Sequence, residues 1–112
     1  MEEIKTKHNV NTISKEDLSR KLKSGEEVQV VNVLNPEHYH LGFIKGSKKI
    51  PLDQLDQRIN ELDKNKEVVT YCASYECPAS SKAAEKLAAR GFNVRAYEGG
   101  IKEWSQANLP KE

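Results

Sequence analysis

Cys72 and Cys77 are the two cysteines of the chain, and both lie in one short segment, Cys72-Ala73-Ser74-Tyr75-Glu76-Cys77-Pro78. Cys72 ends a β-prone run, Glu67-Val68-Val69-Thr70-Tyr71, and a helix-forming stretch opens at Pro78. A thiol at a strand end, wrapped by a tight loop and backed by a helix N-terminus, sits among unpaired backbone N–H groups and the positive end of a helix dipole. That setting is expected to favour the thiolate, the nucleophilic form of cysteine. The spacing is too short to staple a fold, and in a reducing compartment it reads as redox, metal or catalytic chemistry. The plainer alternative is two small buried hydrophobes. Strand, loop and helix all converge on Cys72 and favour chemistry there. For Cys77 the choice between a second functional thiol and a space-filler stays open.

The elements that would position this segment can be read along the 112 residues. Asn9 to Ile13 suits a short first strand. Ser14-Lys15-Glu16-Asp17 resembles a capping box opening a helix to about Lys23, with Leu18 and Leu22 inward and Ser24-Gly25 as the stop. Val28 to Val33 reads as a buried central strand. Asn35-Pro36 starts a turn or short helix through Tyr39, Gly42 to Gly46 is loop, and Lys48-Lys49-Ile50 suits a short strand. Leu52, Leu55, Ile59 and Leu62 recur at helical spacing, which predicts an amphipathic helix over Leu52 to Leu62. Pro78 fits the first turn of the next helix, whose Ala79, Ala83, Ala84, Leu87 and Ala88 form a small-residue packing face and which Gly91 ends. Phe92 to Tyr97 is a final strand. Glu98-Gly99-Gly100 turns into a short helix carrying Ile101 and Trp104, and Lys111-Glu112 is expected to fray.

Strands alternating with helices predict an α/β fold, a mainly parallel central sheet with helices on both faces. Ligands of such sheets bind at the carboxyl ends of the strands, which is where Cys72 falls. The length fits a single domain over residues 1–112, with residues 1–8 as a flexible lead-in. A net charge of +1 with no basic stripe argues against nucleic acid, and no apolar run reaches membrane-spanning length. The first ten residues are charged and carry no apolar signal region, so the expected compartment is the cytoplasm.

Several fragments, taken in order, carry a resemblance. They are Val31-Asn32-Val33-Leu34-Asn35-Pro36-Glu37-His38-Tyr39, Gly42-Phe43-Ile44-Lys45-Gly46-Ser47, Ile50-Pro51-Leu52, Tyr71-Cys72 with its loop, Gly91-Phe92-Asn93-Val94, and Gly99-Gly100-Ile101-Lys102-Glu103-Trp104. Together they resemble the rhodanese-like domain family over nearly the whole chain. The resemblance implies a rhodanese-like sulfurtransferase. Cys72 would take a sulfane sulfur from a donor, thiosulfate or a persulfide, become a persulfide, and pass the sulfur to an acceptor thiol or protein. Ala73, Ser74, Tyr75, Glu76, Cys77 and Pro78 would form the substrate-binding loop, with no metal and no cofactor. Ser74 and Ser80 are candidate donors to a bound sulfur anion. Cys77 is a candidate resolving thiol, able to attack a persulfide or sulfenic acid on Cys72 and release the outer atom as a disulfide forms.

The departures bear on substrate. The family's strand-end Asp and Arg are Asn32 and Leu34 here, its loop His is Phe43, and the loop carries Glu76 without the usual Gly and Arg. A carboxylate at short range repels an anion, which counts against efficient use of thiosulfate and for a persulfide donor. Three rivals stand beside this reading. A phosphatase or arsenate reductase needs an Arg six positions after the cysteine, where this chain has Pro78. A non-catalytic protein-interaction or thiol redox-sensing module on the same fold would explain the missing charge pair. A zinc site from Cys72, Cys77, His38 and His40 has the right donors at loose spacing, and histidines on the surface or lining the cleft are the simpler reading. Trp104 and Tyr71 read as packing residues, and Gly99-Gly100 as a turn that brings backbone near the cleft.

Overall fold

In the computed structural model, residues 11–112 are described. The expected lead-in over residues 1–8, and positions 9 and 10 of the expected first strand, lie outside them. Five strands form one sheet: β1 (Asn11–Thr12), β2 (Val28–Asn32), β3 (Lys48–Lys49), β4 (Glu67–Tyr71) and β5 (Val94–Tyr97). Their order is β1-β5-β4-β2-β3, and every pairing is parallel. Among the described residues, α1 (Lys15–Lys23), α2 (Leu55–Arg58) and α3 (Ala79–Ala89) lie between strands, and α4 (Gly100–Gln106) follows β5.

The valine-rich runs form the middle of the sheet because they are covered on both faces. Val30, Val31, Val68 and Val69 are all buried, and β2 and β4 run in register from Val28 opposite Glu67 to Asn32 opposite Tyr71. Alternation along β4 sorts the two faces. The Thr70 hydroxyl donates to the Ser80 carbonyl of α3 at 2.8 Å, whereas the neighbouring Tyr71 points its hydroxyl to the loop at Ile44 and Ser47. On that second face Tyr97 meets Trp104 of α4 edge to face, with ring centroids 5.8 Å apart. Helices therefore cover both sides of the sheet.

Local chemistry explains most boundaries. Ser14 caps α1 by accepting from the Asp17 N–H at 3.1 Å. Gly91, at φ +90°, provides the left-handed turn that ends α3. Pro78 stands one residue earlier than expected, at the cap position of α3. On α3, Ala83, Ala84 and Leu87 are buried as expected, but Ala88 is exposed, and the inward face is completed by Ser80 and Ser81.

Two expectations need correction. The segment from Leu52 to Leu62 is not one amphipathic helix: it is a 3-10 turn (Leu52–Gln54), the single turn α2, and a second 3-10 turn (Ile59–Glu61). The spacing of its apolar residues shows why. The three-residue steps Leu52 to Leu55 and Ile59 to Leu62 match the 3-10 repeat, and only the four-residue step between them suits an α turn. The C-terminus does not fray. Glu112 N–H donates to the Phe43 carbonyl at 2.9 Å, Lys111 bridges to Ile44, and the Glu112 carboxylate accepts from Gly46 N–H at 3.0 Å. Lys49 stands 3.4 Å from the same carboxylate.

Candidate functional site

Cys72 follows directly on β4 at the carboxyl edge of the sheet, and its side chain continues the face that Thr70 presents to α3. Its loop is fixed at both ends. On the strand side, Ile101 N–H donates to the Cys72 carbonyl and Lys102 N–H to the Ala73 carbonyl, both at 2.9 Å. This close approach requires Gly100, at φ +68°, where a Cβ would stand 2.5 Å from the Cys72 carbonyl oxygen. The glycine pair therefore does bring backbone to the site. On the helix side, Thr70 holds the Ser80 carbonyl.

Between these anchors the loop satisfies itself. Cys77 N–H donates to the Ser74 carbonyl at 3.0 Å, and Glu76 N–H reaches the Ser74 hydroxyl at 3.4 Å. Tyr75 is exposed and ties the outer edge of the loop to Glu103, whose carboxylate also accepts from Tyr97 at 2.7 Å. Burial, reinforced by Glu103, pushes the Tyr97 phenol far up. Gly99 leaves the room that the Glu103 carboxylate fills.

The protonation state of Cys72 departs from the expectation. The residue is fully buried, and its thiol donates to the Cys77 carbonyl at 3.3 Å. Burial pushes the thiol up to about 11, and the neighbouring Cys77 thiol adds to the effect. Ser80 opposes it: its backbone N–H and hydroxyl favour the thiolate but are outweighed. The geometry of the loop acts in the same direction as burial. A carbonyl faces the sulfur where a ring of N–H groups was expected, because the loop N–H groups of Glu76 and Cys77 are bonded to Ser74. The Ser80 hydroxyl is buried and makes no hydrogen bond.

A cleft of about 710 Å³ opens beside the loop. It lies where Val33 and Leu34 leave β2 and Ala73 leaves β4, with α2 and the start of α3 as its walls. Cys77 lines this cleft and Cys72 does not. Ser74 and Glu76 line it as well, whereas Tyr75 and Pro78 stand outside its wall. His38 is on the wall, and His40 is turned to the Glu37 carbonyl at 3.2 Å. Asp53, Asp56 and Glu76 supply carboxylates, and the lysine of the wall, Lys86, is paired with Asp56 at 3.0 Å. Among the described residues no three His, Cys, Asp or Glu side chains come together as a metal site.

On the face of the sheet away from α3 lies a buried net that sequence reasoning missed. Asn32 accepts from Leu34 N–H at 2.8 Å and donates to the Tyr71 hydroxyl at 3.2 Å. Tyr71 also accepts from Ile44 N–H at 3.0 Å and shares a 2.8 Å bond with Ser47. Two N–H donors fill the lone pairs of the phenol oxygen, so Tyr71 O–H donates to Ser47. A neutral amide at position 32 fits this net, since a carboxylate has no N–H to give. The only signal in the sequence was the replacement of the family's Asp by Asn32.

Comparison with known proteins agrees with this geometry. The family model of the Rhodanese-like domain matches residues 14–107. A sulfurtransferase of Allochromatium vinosum is 32% identical over 102 residues, covering 90% of this chain and 94% of that protein. An HTH-type transcriptional regulator of Mycobacterium tuberculosis is 32% identical over 100 residues, and there the match covers 89% of this chain but only 44% of the regulator. The crystal structure of a rhodanese-related protein from Thermoplasma volcanium superposes with a TM-score of 0.79 at 28% identity, covering 91% of this chain and 97% of that one. With a parallel five-stranded sheet and a loop cysteine at its carboxyl edge, the chain belongs to the rhodanese-like domain family.

Proposed function

We propose that this chain, acting as one domain, carries sulfane sulfur as a persulfide on Cys72 and passes it to a thiol or another nucleophilic acceptor. The observation that carries the reading is the placement of Cys72 at the end of β4, against the first turn of α3, where the Ser80 N–H and an unpartnered Ser80 hydroxyl face it. Curated relatives named sulfurtransferases support the same class. A donor R–S–S⁻ gives up its outer sulfur to the cysteine and leaves as R–S⁻. The acceptor then takes that sulfur in the same way, so the cysteine is restored with no net oxidation and no cofactor. The helix N-terminus and Ser80 stabilise the anionic sulfur that results.

The cleft selects the donor. Its carboxylates at Asp53 and Glu76 oppose a dianion such as thiosulfate, and Lys86 is already engaged by Asp56. Persulfides of small thiols or of proteins are the donors that fit. No helix of the described residues is long and apolar enough to cross a membrane. The reading places the reaction in the cytoplasm, between a sulfur donor and an acceptor thiol or protein, with no role for nucleic acid.

One observation favours a second reading. A thiol with no exposed surface, donating to the Cys77 carbonyl, suits a module that binds a partner or senses oxidants without turning over sulfur. Intact mass spectrometry after exposure to cysteine persulfide or thiosulfate separates the two. The carrier gains one sulfur, which fragment ions locate on Cys72, and gains it faster from the persulfide. Absence of sulfur uptake from either donor would establish the module.

A further inference from the structure

We propose that Cys77 is the entry station of a two-thiol relay: a donor persulfide in the cleft loads Cys77, and Cys72 then takes the sulfur from Cys77. This rests on the sulfur-carrier reading above and adds the route by which sulfur reaches the buried cysteine.

Three features point to the route. First, the thiol that a molecule in the cleft meets is Cys77, since Cys77 lines the wall and Cys72 has no exposed surface. Second, Cys77 lies against Cys72: the buried thiol is bonded at 3.3 Å to the carbonyl of that same residue, and the neighbouring Cys77 thiol helps push the Cys72 thiol up. The turn from Ser74 to Cys77 and the Tyr75–Glu103 bond hold the residue in that position. Third, the inner end of the route is prepared for one more polar atom. The Ser80 hydroxyl is fully buried beside Cys72 and has no partner. A buried hydroxyl without a hydrogen bond is costly, and an anionic sulfur on Cys72 would give it an acceptor.

The chemistry balances without an outside oxidant or reductant. In the first step the Cys77 sulfur attacks the outer sulfur of the donor persulfide, the donor S–S bond breaks, and the donor leaves as its thiol. In the second step the Cys72 sulfur attacks the outer sulfur of the Cys77 persulfide. A Cys72–sulfur bond forms, the Cys77–sulfur bond breaks, and the Cys72 proton ends on the Cys77 sulfur. The competing step, attack of Cys77 on the inner sulfur of a Cys72 persulfide, would expel hydrosulfide and leave a disulfide, which then needs a dithiol reductant to reset.

The test is rapid-quench loading with glutathione persulfide of wild type, Cys77→Ser, Cys77→Ala and Cys72→Ser, followed by alkylation and fragment-ion location of the sulfur. In the relay, the earliest sulfur in wild type is on Cys77 and later sulfur is on Cys72. Cys72→Ser retains sulfur on Cys77, and both Cys77 variants load Cys72 about tenfold or more slowly because the buried thiol must be reached directly. Loading of Cys72 at the wild-type rate in both Cys77 variants overturns the relay while leaving the carrier intact, as does a Cys72–Cys77 disulfide as the main wild-type product. No sulfur on either cysteine of wild type overturns the carrier reading and the relay with it.

Discussion

Cys72 carries its proton in this arrangement because ionising would place a charge out of contact with solvent and against the Cys77 carbonyl. Its folded value of about 11 lies above the ordinary 9.0, so between those values the folded protein holds a proton that the unfolded chain has lost. The stability tied to Cys72 is therefore complete below about pH 9 and disappears as the pH rises through 11. The effect is roughly 2–3 kcal/mol, and it is read as the change in the stability difference between wild type and Cys72→Ala in urea titrations. A difference that stays constant from pH 8 to pH 11 would contradict the buried, protonated thiol. Tyr71→Phe removes one hydroxyl but strands Asn32, Ile44 N–H and Ser47, and should cost about 2–4 kcal/mol in the same measurement. The position of Cys72 was legible in the sequence because strand, loop and helix signals are local. Its protonation was not, because that depends on how deeply the folded loop and α3 bury the thiol. Nor was the Tyr71 net, whose members come from three separate segments.

At the level of elements, the site depends on backbone meeting backbone. Gly100→Ala forces a side chain against Cys72 and Ala73 and into a left-handed backbone, whereas Gly25→Ala, at φ +77° with open space around it, suffers only the backbone strain. The first should cost more than about 2 kcal/mol and the second about 1 kcal/mol, compared by chemical denaturation. Only the first should also alter sulfur loading. Glu67 joins β4 to α1 and β5 through Lys21 at 3.1 Å and Arg95 at 2.8 Å. Burial raises its carboxyl, but hydrogen bonds from Arg95 and Lys21 outweigh that and hold it below the ordinary 4.5. Its contribution is thus present above about pH 4.5 and lost as the pH falls through the depressed value. Glu67→Gln should flatten the acid limb of the stability profile, modestly because burial of the carboxylate opposes its two hydrogen bonds. The strands and α1 were readable from valine runs and a capping serine. The break of the Leu52 to Leu62 segment was concealed because a 3-4-3 spacing fits a helix almost as well as it fits two 3-10 turns around one α turn.

For the whole molecule, alternation of strand and helix was enough to predict a parallel sheet covered on both faces, since that is the simplest way to bury strands joined by helices. Strand order was not legible, because it depends on which way each crossover runs. The bound C-terminus was missed for a similar reason: Lys111 and Glu112 look like a polar tail until Phe43, Ile44 and Gly46 are seen beside them. The strand order has a consequence for how the chain is assembled. In the order β1-β5-β4-β2-β3, Asn11 finds its partner only at Arg95. During synthesis, β2, β3 and β4 can pair as they emerge, while β1 waits for almost the whole chain to leave the ribosome. Long-range parallel pairing is slow to form, so β1 should be the last strand secured and the first released. Hydrogen exchange under native conditions should show the Ile13 amide, bonded to the Ala96 carbonyl, opening well before the amides of β4. Equal protection at both places would mean that the sheet closes in a single step.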